Sequence, residues 1–388
     1  MQHRQTISQT QLCALLWAAL LAPAAELLPA VTLPWAGRGA WLTTLLAFPV
    51  LAGVGWLLAR AVQGRDGLPQ TLLAGFGPIA GRGILLLYMV WGEFLLALRL
   101  RLCAQRLLAS GERDGSLWFY LPVAALLALW MARGKLAAFA RAGQVLLAVV
   151  VTAAAVVLGL ALFQVRPEHL LPLWWQDALP VAGGTLPVFG VLGWGMFAAF
   201  LLGQTEPAKH ARRDWLIWSG IGCLLLSLEQ LVVIGNLGET LARRLHSPFF
   251  ALAKSVGVEG AFQRVESIVS ALWIFGDLAL LGVILFALWE MARTVWKKAE
   301  QKTVVTAAVL PAVIISMAAF PDGVGAEAAG RGIVLVGNLV LGITLPVFGI
   351  GAAALAKGEV IRAHLVEKSR KKGTSCSPFS SRKKDEKN

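Results

Sequence analysis

Residues 11–33 read QLCALLWAALLAPAAELLPAVTL, an almost unbroken apolar run whose one charged residue is Glu26. About 20 apolar residues in a helix cross the ~30 Å hydrocarbon core of a bilayer, so this run predicts a transmembrane helix. It is too long for the apolar region of a cleaved signal peptide, and further apolar runs follow it. We therefore expect it to be the first span of a polytopic membrane protein.

Nine more runs of this kind follow. They predict an all-α protein with about ten transmembrane helices, including a short fourth span and a long third span. The predicted spans are Gln11–Leu33, Trp41–Val62, Gly83–Leu108, Leu117–Ala132, Gly143–Phe163, Leu179–Gly203, Trp215–Gly235, Ser267–Met291, Thr303–Phe320 and Ile333–Leu355.

The composition excludes the other broad classes. The chain has 388 residues, of which 57% are hydrophobic and 15% charged, whereas a soluble domain carries about 25% charged residues. A soluble protein of this length has no interior large enough for so many apolar side chains. An outer-membrane barrel would show ~10-residue segments of alternating hydrophobicity, which are absent from the sequence.

The net charge of +13 reflects a basic end of the chain rather than a surface for nucleic acid. Lys and Arg concentrate from Lys357 onward, after the last span, which predicts a membrane domain (1–357) and a basic, disordered tail (358–388). With an even number of spans, both termini lie on one side. The excess of Lys and Arg there predicts that this side is the cytoplasm, where the tail can contact anionic lipid headgroups.

Motifs for catalysis or metal binding are absent from the sequence. The four Cys are scattered without a CxxC spacing, and all five His lie outside the predicted spans. HExxH and GxSxG motifs are also absent. We therefore expect neither an enzyme, nor a metal site, nor a cofactor.

Two predicted spans contain helix-breaking residues at matching positions of two five-span halves. Span one carries Pro23 and Pro29, and span six carries several glycines, among them Gly190 and Gly193. Paired interruptions predict a five-plus-five inverted repeat, with broken helices 1 and 6 whose ends hold a ligand near the midplane. Packing between membrane helices is the alternative explanation for the same residues.

Four carboxyl groups lie well inside predicted spans, namely those of Glu26, Glu93, Glu229 and Asp277. Each would cost at least ~2.5–3.5 kcal/mol facing lipid, so each should face the bundle interior. There it could hydrogen-bond a neighbouring helix, relay protons or bind an ammonium group. The candidate ligand-binding residues are Pro23, Glu26, Glu93, Gly190, Gly193, Trp194, Trp273 and Asp277.

Several short segments, in this order, resemble the permease-like membrane subunit of bacterial spore germinant receptors (the GerAB/GerKB type). This family belongs to the amino acid–polyamine–organocation transporter superfamily. The resemblance covers about residues 6–357. It rests on Ile7-Ser8-Gln9-Thr10-Gln11-Leu12, Ala36-Gly37-Arg38-Gly39-Ala40-Trp41, Leu170-Leu171-Pro172-Leu173, Ser247-Pro248 and Phe262-Gln263-Arg264-Val265-Glu266, the last leading into a span with Trp273.

The resemblance implies an inverted-repeat, transporter-like fold in the inner membrane of a spore-forming bacterium. It implies sensing of a small nutrient germinant, often an amino acid, beside a second membrane subunit with a large soluble domain and a lipoprotein subunit. Ligand binding would then trigger ion release and germination.

The sequence departs from the superfamily in span one. Amino acid transporters there have a Gly-rich break whose free N–H groups hold the ligand carboxylate, whereas this chain has Pro23-Ala24-Ala25-Glu26. An ionised Glu26 would repel a carboxylate, which favours a cationic or neutral ligand or a degenerate site. A proton-coupled transporter of amino acids or amines and a scaffold subunit without a ligand remain the alternative functions.

Overall fold

A computed structural model describes residues 6–62, 67–110, 115–208, 210–245, 247–255, 265–320 and 322–355. The predicted tail (358–388) and residues 262–264 of the last resembling segment lie outside the described residues. The described part is almost entirely helical, and its one extended contact is an isolated parallel bridge between Ile7 and Thr205.

Each of the ten predicted spans corresponds to a helix or a group of helices, but some helices are longer than predicted. The third begins at Leu68, fifteen residues before the predicted start, and the fifth begins at Leu136, seven residues before it. Eight described segments are long and apolar enough to cross a membrane, and the first of them, Gln9–Ala59, contains two predicted spans. The short fourth span is present as the apolar helix Leu117–Ala132. The long helices are α1 (Gln9–Ala36), α2 (Ala40–Val62), α3 (Leu68–Ser110), α4 (Leu117–Ala132) and α5 (Leu136–Leu162), followed after span six by α10 (Ala211–Arg244), α12 (Val265–Val295) and α13 (Gln301–Ala319).

Span six is divided into short pieces, as the sequence predicts. The pieces are α7 (Ala178–Gly183), α8 (Thr185–Leu192), a 3₁₀ turn (Gly193–Gly195), α9 (Met196–Phe200) and a second 3₁₀ turn (Leu201–Gln204). The short helix α6 (Pro167–Leu170) precedes span six, and α11 (Pro248–Ser255) lies between α10 and α12.

Span one corrects the expectation of a broken helix. Helix α1 is continuous although Pro23, Pro29 and Pro34 lie inside it. Each proline removes one backbone hydrogen bond, but most residues of α1 are buried against other helices, so packing holds the helix together.

The second interrupted span is instead span ten. It consists of α14 (Gly323–Arg331), α15 (Ile333–Asn338), a π-helical segment (Leu339–Thr344) and a helix over 345–355. The π-helical segment is in contact with α3. The hydroxyl of Tyr88 on α3 donates a hydrogen bond of 2.6 Å to the carbonyl of Leu341 in this segment. A side chain of α3 thereby satisfies a backbone acceptor that the irregular turn exposes.

Long helices also bend at two glycines. Gly77 (φ 82°) in α3 and Gly238 (φ 73°) in α10 leave the helical region of backbone space. Only glycine adopts positive φ at little cost. The bend in α3 lies near its start, directly before Pro78. The bend in α10 lies near its end, after the apolar part of the helix.

The core sits around spans six and eight. In the most apolar windows of Trp175–Gln204 and Ala271–Val295, 83% and 78% of residues are buried, against 22% in Leu136–Leu162 and 28% in Gln301–Ala319. Helices α5 and α13 therefore lie at the periphery, and span six and α12 lie in the centre.

Candidate functional site

Four charged side chains meet inside the bundle, and we call them the charge cluster: Glu26, Arg99, Arg106 and Asp277. The guanidinium of Arg106 on α3 donates hydrogen bonds to Glu26 on α1 and to Asp277 on α12. Arg99 lies 3.5 Å from the other oxygen of Asp277. The cluster thus joins three helices through two cations and two anions.

Helix geometry places both arginines on one face of α3. Arg99 and Arg106 are seven residues apart, which is close to two turns of an α-helix. Arg99 is 3% exposed and Asp277 is fully buried, whereas the side chains of Arg106 and Glu26 keep 14% and 20% of their surface. Glu26 and Arg106 therefore form the accessible edge of the cluster.

Two tryptophans flank the arginines. Arg99 lies over the ring of Trp194 from span six, at 5.3 Å, and Arg106 lies over Trp273 of α12, at 5.6 Å. Such cation–π contacts stabilise a cation that has lost its water shell. Because Trp273 precedes Asp277 by one turn, α12 presents an aromatic ring and a carboxylate on the same face.

The cluster lies toward one end of the bundle. At 1.5 Å per residue, Arg106 is about 6 Å from the end of α3, Glu26 about 15 Å from the end of α1 and Asp277 about 18 Å from the start of α12. The charge distribution along the sequence predicts that this end faces away from the cytoplasm.

The structure brings together four of the eight candidate residues: Glu26, Trp194, Trp273 and Asp277. Pro23 lies one turn before Glu26, within α1. Glu93 takes no part in the ion pairs of the cluster, and its buried Oε1 has no hydrogen-bond partner among the described residues.

Gly190 and Gly193 pack against span ten rather than against the charge cluster. A Cβ on Gly190 would lie 2.7 Å from the carbonyl oxygen of Leu335, and one on Gly193 would lie 2.8 Å from the Cβ of Asn338. Asn338 also donates a hydrogen bond of 3.1 Å to the carbonyl of Gly190. These glycines permit close helix contact, which was the alternative explanation at the sequence level, although Gly193 also lines a cavity of about 100 Å³ near Trp215.

The arginines were missing from the sequence-based candidates. Arg106 lies near the end of the predicted third span, where a cation is ordinary. The spacing of Arg99 and Arg106 could have identified them. Two cations two turns apart on one face of a membrane helix are costly unless carboxylates on neighbouring helices pair with them.

The side chains of the cluster are chemically suited to binding a charged ligand. Its two carboxylates can accept an ammonium group, and its two guanidiniums can hold a carboxylate in a bidentate manner. The described residues contain no group of three or more His, Cys, Asp and Glu that could hold a metal ion.

Two solved structures share this fold. One is a Na⁺-coupled sialic acid symporter in a substrate-bound, outward-open state, with a TM-score of 0.61 and 10% identity, covering 91% of this chain and 89% of that one. The other is Mhp1, a nucleobase-cation-symport-1 family transporter in a closed conformation with bromovinylhydantoin bound, with a TM-score of 0.59 and 11% identity, covering 93% and 94%. These likenesses establish a transporter-type membrane fold.

Sequence comparison assigns the family. No curated protein matches the chain. The model of the spore permease family, described as spore germination protein, matches residues 6–322, which is most of the chain. The chain is therefore a multi-pass, permease-like membrane protein that belongs to the spore germination protein family.

Proposed function

We propose that this chain is the membrane subunit of a spore germinant receptor and that a small nutrient germinant binds at the charge cluster. The observation that carries the proposal is the position of Arg106, which connects Glu26 of α1 with Asp277 of α12. Membership of the spore germination protein family supports the receptor role.

The cluster is suited to a zwitterionic ligand such as an amino acid, because it offers carboxylates for an ammonium group and guanidiniums for a carboxylate. The sequence argued against an α-amino acid, because an ionised Glu26 would repel its carboxylate. Arg106 pairs with Glu26 and Arg99 lies beside Asp277, so the site carries no excess negative charge. An ammonium can replace a guanidinium on the carboxylates while the ligand carboxylate takes the guanidiniums.

Exchange of ion pairs would supply the signal. Without ligand, Arg106 ties α1 to α12 through α3. A ligand that replaces Arg106 in these ion pairs would release α1 from α12. If the ligand binds this released arrangement of the helices more tightly than the tied one, it shifts the equilibrium toward the released arrangement. Partner subunits, namely a membrane subunit with a soluble domain and a lipoprotein, would detect this change.

We place the protein in the inner membrane of the spore, with both termini in the cytoplasm. In this orientation the charge cluster lies in the half of the bundle that faces away from the cytoplasm, and the basic tail meets the anionic lipid of the inner leaflet.

The test is germination of spores that carry single-residue variants. In a strain that lacks the gene, we expect the parent sequence to restore the response to one nutrient among amino acids, amines and sugars. Glu26→Gln, Arg106→Gln and Asp277→Asn should each raise the nutrient concentration that gives half-maximal germination by at least about tenfold. Arg213→Gln, at an exposed position on α10, is the matched control and should respond like the parent.

Immunoblots of spore membranes must show equal amounts of each variant. If all three cluster variants respond like the parent across a full titration, the germinant binds elsewhere. If spores without the gene germinate normally with every nutrient, the receptor role is wrong.

A proton-coupled secondary transporter of amino acids or amines is the second candidate. Its support is that Glu93 and Glu229 hold buried carboxyl oxygens without hydrogen-bond partners among the described residues, as proton relays often do. Uptake of a labelled solute into proteoliposomes, driven by an imposed pH gradient and lost in Glu93→Gln or Glu229→Gln, would favour this candidate over the receptor.

A further inference from the structure

A second carboxyl group inside the bundle stands apart from the charge cluster. Glu229 of α10 is 3% exposed. Neither of its carboxyl oxygens has a hydrogen-bond partner among the residues that the structure describes. Buried polar groups are normally paired, and an unpaired one at bilayer depth points to a ligand or a proton.

Glu229 borders an apolar cavity, which we call the α5 cavity. It lies between α1, α5, α10 and α12, and the side chain of Phe249 from α11 contributes to its wall. Its lining residues include Leu21, Ala154, Leu226, Glu229, Phe249 and Trp273.

The α5 cavity and the charge cluster are separate sites. None of the four cluster residues lines the cavity, and Trp273 lies between the two, with Arg106 over its ring. Glu229 is therefore not neutralised by the arginines of α3.

The walls of the α5 cavity select the kind of cation. A metal ion needs several oxygen ligands, whereas the other lining side chains are aliphatic or aromatic. The rings of Phe249 and Trp273 lie with their centroids 5.7 Å apart. Aromatic faces beside a carboxylate are suited to an organic ammonium, whose charge they stabilise and whose hydrocarbon they contact.

The volume allows a small ligand. The α5 cavity measures about 50 Å³, several times the ~10–15 Å³ that one water molecule needs. It therefore has room for a small organic cation such as propylammonium.

We propose that the α5 cavity is a binding site for a small alkylammonium ion, with the ammonium on Glu229 and the alkyl chain against Phe249 and Trp273. The site is independent of the germinant site proposed at the charge cluster.

The experiment measures binding of ¹⁴C-labelled n-propylammonium to the full-length protein in nanodiscs by scintillation proximity. The parent should show saturable binding. Glu229→Gln, which keeps the shape and removes the charge, should lower the affinity at least about tenfold. Ala154→Leu, which fills the cavity and keeps the charge, should also lower it, and size-exclusion profiles must match the parent.

Two controls separate this site from other carboxylates and from non-ionic binding. Glu239→Gln makes the same charge change on the same helix outside the cavity and should leave binding unchanged. Unlabelled 1-propanol, a neutral probe of the same size, should compete at least about tenfold more weakly than unlabelled propylammonium.

Three results would overturn the proposal: no saturable binding by the parent, undiminished binding by Glu229→Gln, or equal competition by 1-propanol. Loss of binding in Asp277→Asn but not in Glu229→Gln would assign the ammonium site to the charge cluster instead.

Discussion

At the scale of single residues, replacement of Arg106 should affect both stability and function. It interacts with two carboxylates on two other helices, and its side chain is 14% exposed. Removing one partner of a buried ion pair leaves uncompensated charge in a medium of low polarity, which costs more than the pair contributes.

We expect Arg106→Gln to lower the free energy of unfolding by ~3–5 kcal/mol, since Glu26 and Asp277 then lose a shared cation. Thermal unfolding in detergent micelles is the measurement, with Arg213→Gln as control. In the double variant Arg106→Gln/Glu26→Gln, loss of one negative charge should restore part of the stability, with a coupling of ~1–3 kcal/mol. Additive effects would mean that the pair does not couple α1 to α3.

At the scale of elements, the contact between spans six and ten explains the interruptions in both. Gly193 and Gly342 meet closely, because a Cβ on Gly342 would lie 2.8 Å from the carbonyl oxygen of Gly193. Asn338 connects the contact to α3 by accepting a hydrogen bond of 3.1 Å from the indole of Trp91. Small residues let two helices approach, and polar side chains satisfy the backbone where the helices are irregular.

Gly190→Ala should therefore destabilise the protein by ~1–3 kcal/mol, because its Cβ would press on backbone atoms of Leu335 that cannot move aside. Gly53→Ala is the matched control, since a Cβ on this exposed glycine of α2 meets nothing within 4 Å. It should leave the melting temperature unchanged or slightly higher. Equal melting temperatures for the two variants would contradict the close contact.

At the scale of the whole molecule, the two ends of the bundle differ. At one end, the backbone of Ile7 pairs with Gln204 and Glu206, at 3.0 and 2.9 Å, and the side chain of Gln204 donates to Glu290 of α12, at 2.7 Å. At the other end, Glu26 and Arg106 keep part of their surface exposed. The segment before α1 thus fastens span six at the end opposite the charge cluster.

The predicted orientation can be tested with the natural cysteines. Cys13, Cys103 and Cys223 are buried, and Cys376 belongs to the basic tail. A membrane-impermeant maleimide should leave intact protoplasts unlabelled and modify Cys376 after permeabilisation. Cys376→Ser should remove the label, and labelling of intact protoplasts would place the tail outside.

The fold class could be derived from the sequence because a bilayer demands long apolar helices, and such runs are visible without knowledge of their neighbours. The short helix over residues 117–132 and the divided span six were both predicted from such local information. The continuity of α1 could not be predicted from the sequence. Prolines break isolated helices, but in the folded protein the packing around Pro23 decides whether the helix continues.

The sequence also showed that Glu26 and Asp277 must lie inside the bundle, because charge is costly in lipid. Only the tertiary structure decided what they meet. Residues 26, 106 and 277 are far apart along the chain, and the crossing of α1, α3 and α12 places one guanidinium between two carboxylates. Glu229, by contrast, has no hydrogen-bond partner among the residues that the structure describes, and Arg106 lies on the other side of Trp273.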